Sequence, residues 1–290
     1  MNFVDEIINS KYKIVEKIGQ GSFGTIYKGI IEKKKVHVAI KLESCMHNSI
    51  KHEARIINYL YSKGINKIPQ IYWYGIFKDN MCLVMKYYEI TLMDFINAKD
   101  ATKRIKLINR IFIKMIEIME SIHTHFVIHR DIKPENFMIS NNELYLIDFG
   151  LSTFYIDENE THVLMKEERN IIGTPKYASI NVHHGNTYSR RDDMISLGYL
   201  YIVLINGGSA VWENASDDDN SPMLYVKDNI DIIDINHPSQ IWRKTCKTWI
   251  NLEKHIPECH PLYRYMKYCY GLEYEKTPNY KALKLLDWDL

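Results

Sequence analysis

Residues 129–137 read HRDIKPENF, and their types and spacing suit proton and phosphate chemistry. Asp131 can accept the proton of a hydroxyl, and Asn136 can offer an amide oxygen to a metal ion. Lys133 stands between them and can neutralise charge on a group in transfer. In LIDFG, residues 146–150, Asp148 ends a short apolar run, where its carboxylate can bind a divalent cation. Upstream, GQGSFGTI carries Gly19, Gly21 and Gly24 between two strand-like patterns. Glycines there let backbone N–H groups come close to a phosphate. In VAIK, Lys41 falls on the next strand and can reach the same phosphates. Glu53, in the helical segment that follows, can hold the lysine in place as an ion pair.

These signals differ in specificity. The glycine-rich stretch by itself fits a plain hairpin equally well, and it does not open a helix, which disfavours a dinucleotide fold. Lys41 by itself fits an exposed strand lysine, and Asp148 by itself an Asp-x-Gly turn. HRDIKPENF is far more specific than a chance run of charges. The order glycine loop, Lys41, Glu53, Asp131, Asn136, Asp148 is not explained by the separate bland readings taken together.

Such residues must be positioned by two kinds of element. KYKIVEKIG, GTIYKGII, VHVAIKLES, PQIYWYGIF and NMCLVMKYY read as strands, with Lys33, Lys34 and Lys35 at a hairpin turn. SIKHEARIINYLYSKG has helical period, with Ile56, Ile57 and Leu60 on one face and Gly64 as its stop. From residue 101 on, apolar residues at 105, 108, 112, 115, 119 and 122 step by threes and fours, again a helix. MISLGYLYIVLI, residues 194–205, is apolar on all sides and reads as a buried central helix. Beyond about residue 190 nearly everything reads as helix and loop. A strand-rich first part, 1–88, joined to a larger helical part, 89–290, is the expected division.

Composition is that of an ordinary globular chain, 46% hydrophobic and 25% charged. A formal net charge of +1 argues against broad binding to nucleic acid or an anionic membrane. The apolar run at 194–205 is shorter than the roughly 18 residues a bilayer span needs. Five cysteines without a C-x-x-C pair, and no signal-peptide pattern after Met1, lead one to expect free thiols in an intracellular compartment, cytoplasmic or nuclear. His255, Cys259 and His260 lack zinc-site spacing and a fourth ligand.

The chain resembles the eukaryotic-type protein kinases over nearly its whole length, and more narrowly the casein kinase 1 family. The resemblance rests on IKLE at 40–43, HRDIKPENFMIS at 129–140, LIDFGLS at 146–152 and GTPKYASINVHHG at 173–185. SRRDDMISLGYL at 189–200 and DWDL at 287–290 add to it. It implies an α+β, bilobal protein kinase-like fold: a small antiparallel-sheet N-lobe with one major helix, and a larger, mainly helical C-lobe. It implies a serine/threonine protein kinase that uses ATP with Mg²⁺, or Mn²⁺ in its place. The nucleotide would be held by Gly19, Gly21, Ser22, Phe23, Gly24, Ile26, Ala39, Lys41, Met85 and Tyr87, and the metal by Asn136 and Asp148. Catalytic roles pass to Asp131, Lys133, Asn136, Lys41, Glu53 and Thr174. Met85 falls at the gatekeeper, and Lys86, Tyr87 and Tyr88 at the hinge whose backbone reads adenine. Asp193 would tether the catalytic-loop backbone. The expected partners are protein substrates with serine or threonine, and the expected state is a monomer. A pseudokinase scaffold would be suggested by loss of Lys41, Asp131 or Asp148, and none is lost. Lys133 and the complete GTPKYASIN segment argue against a small-molecule kinase of related fold.

Ser179-Ile180-Asn181 stands where most such enzymes have Ala-Pro-Glu, and it is a hallmark of the casein kinase 1 branch. Asn181 carries no charge, so the usual glutamate–arginine pair cannot form, and hydrogen bonds aided by the SRRDD element must anchor the segment. The resemblance also implies activity without phosphorylation of residues 153–172, where Thr153, Tyr155 and Thr161 offer hydroxyls. Relatives use a basic pocket to favour acidic or phosphorylated substrates. Here Arg130 and Arg169 match, Lys176 replaces an arginine, and Thr153 replaces a lysine. ENASDDDNSPMLY, 213–225, with Asp217, Asp218 and Asp219, stands where a basic run is usual. It reads first as a solvated loop, and more sharply as a cause of weaker capture of such substrates. Many relatives carry a long C-terminal tail, and its control is expected to be missing here.

Overall fold

The computed structural model describes residues 3–21, 24–213, 225–227 and 230–288. The first part of the chain builds one six-stranded antiparallel sheet. Its strands are β1 (Ile7–Ile8), β2 (Tyr12–Gly21), β3 (Gly24–Ile31), β4 (Val36–Ser44), β5 (Ile71–Phe77) and β6 (Asn80–Lys86), in the spatial order β1-β2-β3-β4-β6-β5. Alternation decides which side chains face inward. Tyr12, Ile14, Tyr27, Val38, Ile40, Cys82 and Val84 form the apolar core of this lobe. The regular alternation of β2 fails at two bulges, between Ile14 and Glu16 and between Lys17 and Gly19. Val15 and Ile18 therefore lie exposed. The lysine run falls at a tight turn, Glu32–Lys34, closed by Lys35 in the left-handed region.

Helix α1 (Ser49–Ser62) crosses this sheet. Its Ile56, Ile57 and Leu60 are fully buried, and Gly64, at φ +84°, follows its end. Register brings β4 and β6 together so that Ala39 faces Met85 and Lys41 faces Leu83, while β3 sets Ile26 against Lys41. Glycine is required at position 24: its φ is +105°, and a Cβ there would collide with the Leu42 carbonyl oxygen.

After a short strand β7 (Ile90–Thr91), the chain turns helical. Helix α2 (Leu92–Asn97) is capped by Thr91, whose hydroxyl accepts from the Asp94 N–H at 3.1 Å. Helix α3 (Ala101–His123) runs through the second lobe. Ile108, Phe112, Met115, Met119 and Ile122 are buried, as the period requires, but Ile105 is exposed. Strands β8 (Val127–Ile128), β9 (Phe137–Ser140), β10 (Glu143–Leu146) and β11 (Thr153–Phe154) form small antiparallel pairs that flank the HRDIKPENF and LIDFG stretches. The chain continues through β12 (Asn170–Ile171), α4 (Ile180–His183), α5 (Arg190–Ile205), β13 (Tyr225–Lys227), β14 (Ile230–Asp234), α6 (Pro238–Cys246), α7 (Trp249–Leu252), α8 (Pro261–Tyr270) and α9 (Tyr280–Lys284). Helix α5 is buried from Met194 to Leu204 on every side.

One correction follows. The region beyond residue 190 holds more than helix and loop. Strands β13 and β14 form, with β14 pairing Ile233 to Ile171. That partner lies far away in sequence, so local pattern does not reveal it. The acidic residues Asp217, Asp218 and Asp219, and the closing Asp289 and Leu290, lie outside the described residues.

The architecture is thus bilobal: an antiparallel sheet with one major helix, then a mainly helical lobe. Among the described residues no helix is long and apolar enough to cross a membrane. The core of the second lobe centres on Phe112, whose ring packs against Tyr201, Tyr265 and Trp288 at centroid distances of 4.9, 5.0 and 4.8 Å. Phe112→Ala should lower stability by about 3 to 5 kcal/mol. The check is a fall in urea midpoint with circular dichroism of the native state unchanged.

Candidate active site

Three segments converge on Asp131. Its carboxylate is nearly buried and engages four groups. Thr174 donates to Oδ1 from both its backbone N–H, at 2.9 Å, and its hydroxyl, at 2.7 Å. Lys133 Nζ lies 2.8 Å from Oδ2, and the Asn136 amide nitrogen donates to the same oxygen at 3.1 Å. Lys133 also donates to the Thr174 hydroxyl at 3.2 Å. Asp131 raises the Lys133 pKa against the opposing effect of burial, so the amine is charged. Gly173 permits this approach: its φ is +89°, and a Cβ would strike the Arg130 carbonyl oxygen.

The loop carrying Asp131 is strained. Arg130 sits at φ +67°, an uncommon conformation for a side chain of this size. Asp193, in the first turn of α5, holds it there. Its carboxylate accepts the His129 N–H at 2.7 Å and the Arg130 N–H at 2.9 Å. His123 completes the arrangement: Nε2–H donates to Asp193 at 3.0 Å, and Nδ1 accepts the Tyr280 hydroxyl at 2.7 Å. These partners assign the neutral tautomer. Burial pushes the His123 pKa down, while the hydrogen bond from His123 keeps the Asp193 carboxyl below its ordinary value despite burial.

A second cluster lies where the two lobes meet. Lys41 Nζ is 2.7 Å from Glu53 and 3.1 Å from Asp148. Burial alone would lower the Lys41 pKa, but Asp148 and Glu53 together raise it, so the lysine stays protonated. Lys41 in turn holds the Asp148 carboxyl below its usual range. Asp148 adopts φ +62°, and Phe149 is fully buried with its ring edge-on to His129 at 5.0 Å. His52 adds a contact the sequence did not reveal: its Nε2–H donates to the Ser152 carbonyl at 2.6 Å, joining α1 to the chain just past Asp148.

The donor chemistry fits a hard cation. Asn136 spends its amide nitrogen on Asp131, through the backbone carbonyl at 2.8 Å and the carboxylate, which leaves its amide oxygen as the group to offer a cation. That oxygen and the Asp148 carboxylate are the ligand types that Mg²⁺ prefers. No cluster of three or more His, Cys, Asp or Glu suited to a metal is present among the described residues, the His255, Cys259 and His260 group included.

The other expected nucleotide residues are distributed as follows. Gly19, Gly21, Gly24 and Ile26 lie on the β2–β3 hairpin, with Ile26 packed against Gly19. Ser22 and Phe23 lie outside the described residues. Ala39 and Met85 face each other across β4 and β6, and Met85 packs on Ile50, Ala54 and Leu83. Tyr87 follows β6 and meets the His37 ring edge-on at 6.1 Å. The Lys86 N–H, in the expected hinge, donates to the Gln70 carbonyl at 2.9 Å and is committed to the protein.

The 173–181 segment is anchored at its far end by Asp192. Ser179 donates its hydroxyl to this carboxylate at 2.5 Å and Asn181 its amide at 3.0 Å. Hydrogen bonds thus hold this segment without a charge at Asn181, and the SRRDD stretch supplies the acceptor. Lys176 forms an ion pair with Glu213 at 2.5 Å and donates to the Gly208 carbonyl at 2.9 Å. Arg130 donates Nε–H to the Leu151 carbonyl at 2.6 Å, and Arg169 is exposed. Tyr155 is buried, and its hydroxyl is bonded to the His123 carbonyl at 2.7 Å, so it is no accessible hydroxyl on the segment.

The family model described as Protein kinase domain matches residues 12–284. The chain belongs to that family, which transfers phosphate to proteins and uses ATP and a divalent metal.

The buried neutral histidines make stability depend on pH. Burial lowers the pKa of His123 and of His183 below the ordinary 6.5. The unfolded chain then binds more protons than the folded one below that value. Their contribution is complete above about pH 6.5 and is lost as pH falls. The urea midpoint should hold steady from about pH 8 to 7 and decline toward pH 5.5. A flat profile across that interval would show that these imidazoles do not stay neutral on folding.

Proposed function

We propose that this protein kinase transfers the γ-phosphate of ATP to serine and threonine hydroxyls of proteins, in the manner of the casein kinase 1 family. The observation that carries the reading is the Asp131 cluster. A carboxylate, an ammonium, an amide and a threonine hydroxyl meet within 3.2 Å. Asp131 accepts the proton of the incoming hydroxyl as it attacks. Lys133, only partly buried, swings from Asp131 to the oxygen atoms of the group in transfer. Thr174 keeps the Asp131 carboxylate oriented through two hydrogen bonds. Asn136 and Asp148 would hold a divalent cation, which when bound would supply charge neutralisation to the phosphates. Lys41, fixed by Glu53, orients the phosphates, while the hairpin backbone at Gly19, Gly21 and Gly24 covers them. Ile26, Ala39 and Met85 enclose the base, and the chain at Tyr87 reads its edge.

The reading extends to regulation and specificity. Lys41, Glu53 and Asp148 are already in contact, and Tyr155 is committed to the fold, which supports activity without phosphorylation of residues 153–172. The pairing of Lys176 with Glu213 supports a shallow preference for phosphorylated or acidic sites. Lysine also grips a phosphate less well than the two-pronged guanidinium of arginine. We place the lobe boundary near residue 88 and the enzyme inside the cell.

Labelled ATP·Mg²⁺ and an acidic, casein-like protein test this directly. Wild-type protein with no phosphate on residues 153–172 by mass spectrometry should label serine or threonine. Asp148→Asn should reduce the rate by about a hundredfold or more, roughly 2.7 kcal/mol of barrier. Labelling of tyrosine alone, or no transfer by folded, ATP-binding protein, would defeat the proposal. In a second comparison, a phosphate-primed peptide should turn over less than about a hundredfold better than its unprimed twin, a gap below roughly 2.7 kcal/mol. A larger ratio would show that Lys176 does capture phosphate.

A further inference from the structure

Lys247 stands at the end of α6, fully buried, and has no place in the phosphate-transfer machinery described above. Its amine donates to the Pro175 carbonyl at 2.8 Å and to the Ala178 carbonyl at 2.8 Å. His183 Nε2 lies 3.1 Å away. The ring centroids of Tyr199 and Trp212 are 4.8 and 5.4 Å from Nζ and close the amine off from water. None of its described hydrogen-bond partners is a carboxylate. We propose that Lys247 is the positioning residue that holds the main chain of residues 175–178 in the shape that receives a peptide substrate. The inference rests on the protein kinase reading of the Asp131 site.

The geometry explains why a lysine at this place suits a chain with Asn181. A segment fastened through a glutamate side chain is held at one residue. Lys247 bypasses side chains and grips two backbone carbonyls three residues apart. Both bonds survive either protonation state. The neutral amine has two N–H donors for the two carbonyls and a lone pair for His183 Nε2–H. The ammonium has a third N–H for an unprotonated Nε2. Burial pushes the Lys247 pKa well down, and the two carbonyl bonds do not need the charge. Trp212 reinforces the same stretch, its indole N–H donating to the Lys176 carbonyl at 2.7 Å. Asp192 holds Ser179 and Asn181 from the opposite side. Residues 175–181 are thus clamped by the donors Lys247 and Trp212 on one side and the acceptor Asp192 on the other. Removing the donor orphans two buried carbonyls, a cost that falls on this segment and not on Lys41 or Asp148.

Lys247→Met keeps the apolar stem and deletes the donors. Steady-state kinetics with ATP·Mg²⁺ and an unphosphorylated acidic serine peptide separate the possibilities. We expect the peptide KM to rise about tenfold, with kcat reduced less than threefold and the ATP KM within twofold of wild type. Hydrogen exchange should show faster exchange at the amides of Tyr177 and Ala178, and unchanged exchange in α3. A folded variant whose peptide KM stays within twofold of wild type overturns the inference. So does a loss of kcat and ATP binding in parallel with KM, which marks a general structural role. If Lys247→Met does not fold, Lys247→Gln, with a donor on a shorter stem, is read the same way. A raised peptide KM alone supports the clamp, and a wild-type KM overturns it. Wild-type protein that labels no peptide or protein would instead mark failure of the kinase reading.

Discussion

A single buried carboxylate, Asp193, sets the geometry on which the site depends. Charge is costly to bury, and it persists there only when hydrogen bonds surround it. Asp193 meets that demand with two backbone N–H groups of the catalytic loop and the ring N–H of His123. The demand works in both directions. The carboxylate is kept ionised by the loop, and the loop is kept in a left-handed turn at Arg130 by the carboxylate. Asp131 follows immediately, so its direction is fixed by that turn. Because α5 is buried on every side, the carboxylate itself has no freedom to drift.

The same logic organises the neighbouring position. Asp192 sits beside Asp193 in the first turn of α5, yet it serves a different segment. It accepts from Ser189 N–H at 2.8 Å at the start of the helix, and from Ser179 and Asn181 across the gap. Two adjacent carboxylates thus register the loop carrying Asp131 and the 173–181 segment to one rigid helix. Thr174 then links those two segments directly through Asp131. Substitution of the usual glutamate by Asn181 is consistent with this arrangement: an amide donor suits a carboxylate acceptor, where a second carboxylate would repel it.

Where the lobes meet, the cluster of Lys41, Glu53 and Asp148 joins elements far apart in sequence: strand β4, helix α1 and the chain after β10. One cation between two carboxylates is stable in a poorly solvated place, and it draws α1 toward the second lobe. His52 and Ser152 strengthen that approach with a backbone-directed bond. Phe149, packed against His129, carries the linkage from this cluster to the catalytic loop. The two clusters are therefore mechanically connected through a ring contact and a short stretch of chain.

The local pattern of the chain was enough to recover strands β2 to β6 and helices α1, α3 and α5, while the kinase resemblance pointed to the residues that meet around Asp131 and Lys41. The strands and helices depend on side-chain period and each motif on neighbouring residues, so they are legible one segment at a time, whereas the meeting of Lys41 with Asp148 was legible only through the resemblance. What it could not supply were contacts between distant segments. The pairing of β12 with β14, the reach of His52 to Ser152, and the ion pair of Lys176 with Glu213 each join residues that no local rule connects. The hidden lysine is the clearest case. In sequence, Lys247 is one of several basic residues near the end of an amphipathic helix, where exposure is the ordinary expectation. Only the packing of α6 against the 175–183 segment removes it from water and turns a surface charge into a donor for two main-chain carbonyls. The sequence by itself determined which chemical groups the protein has and the order in which they occur. The tertiary structure decided which of them are buried, because burial is a property of the neighbours that a folded chain brings from elsewhere.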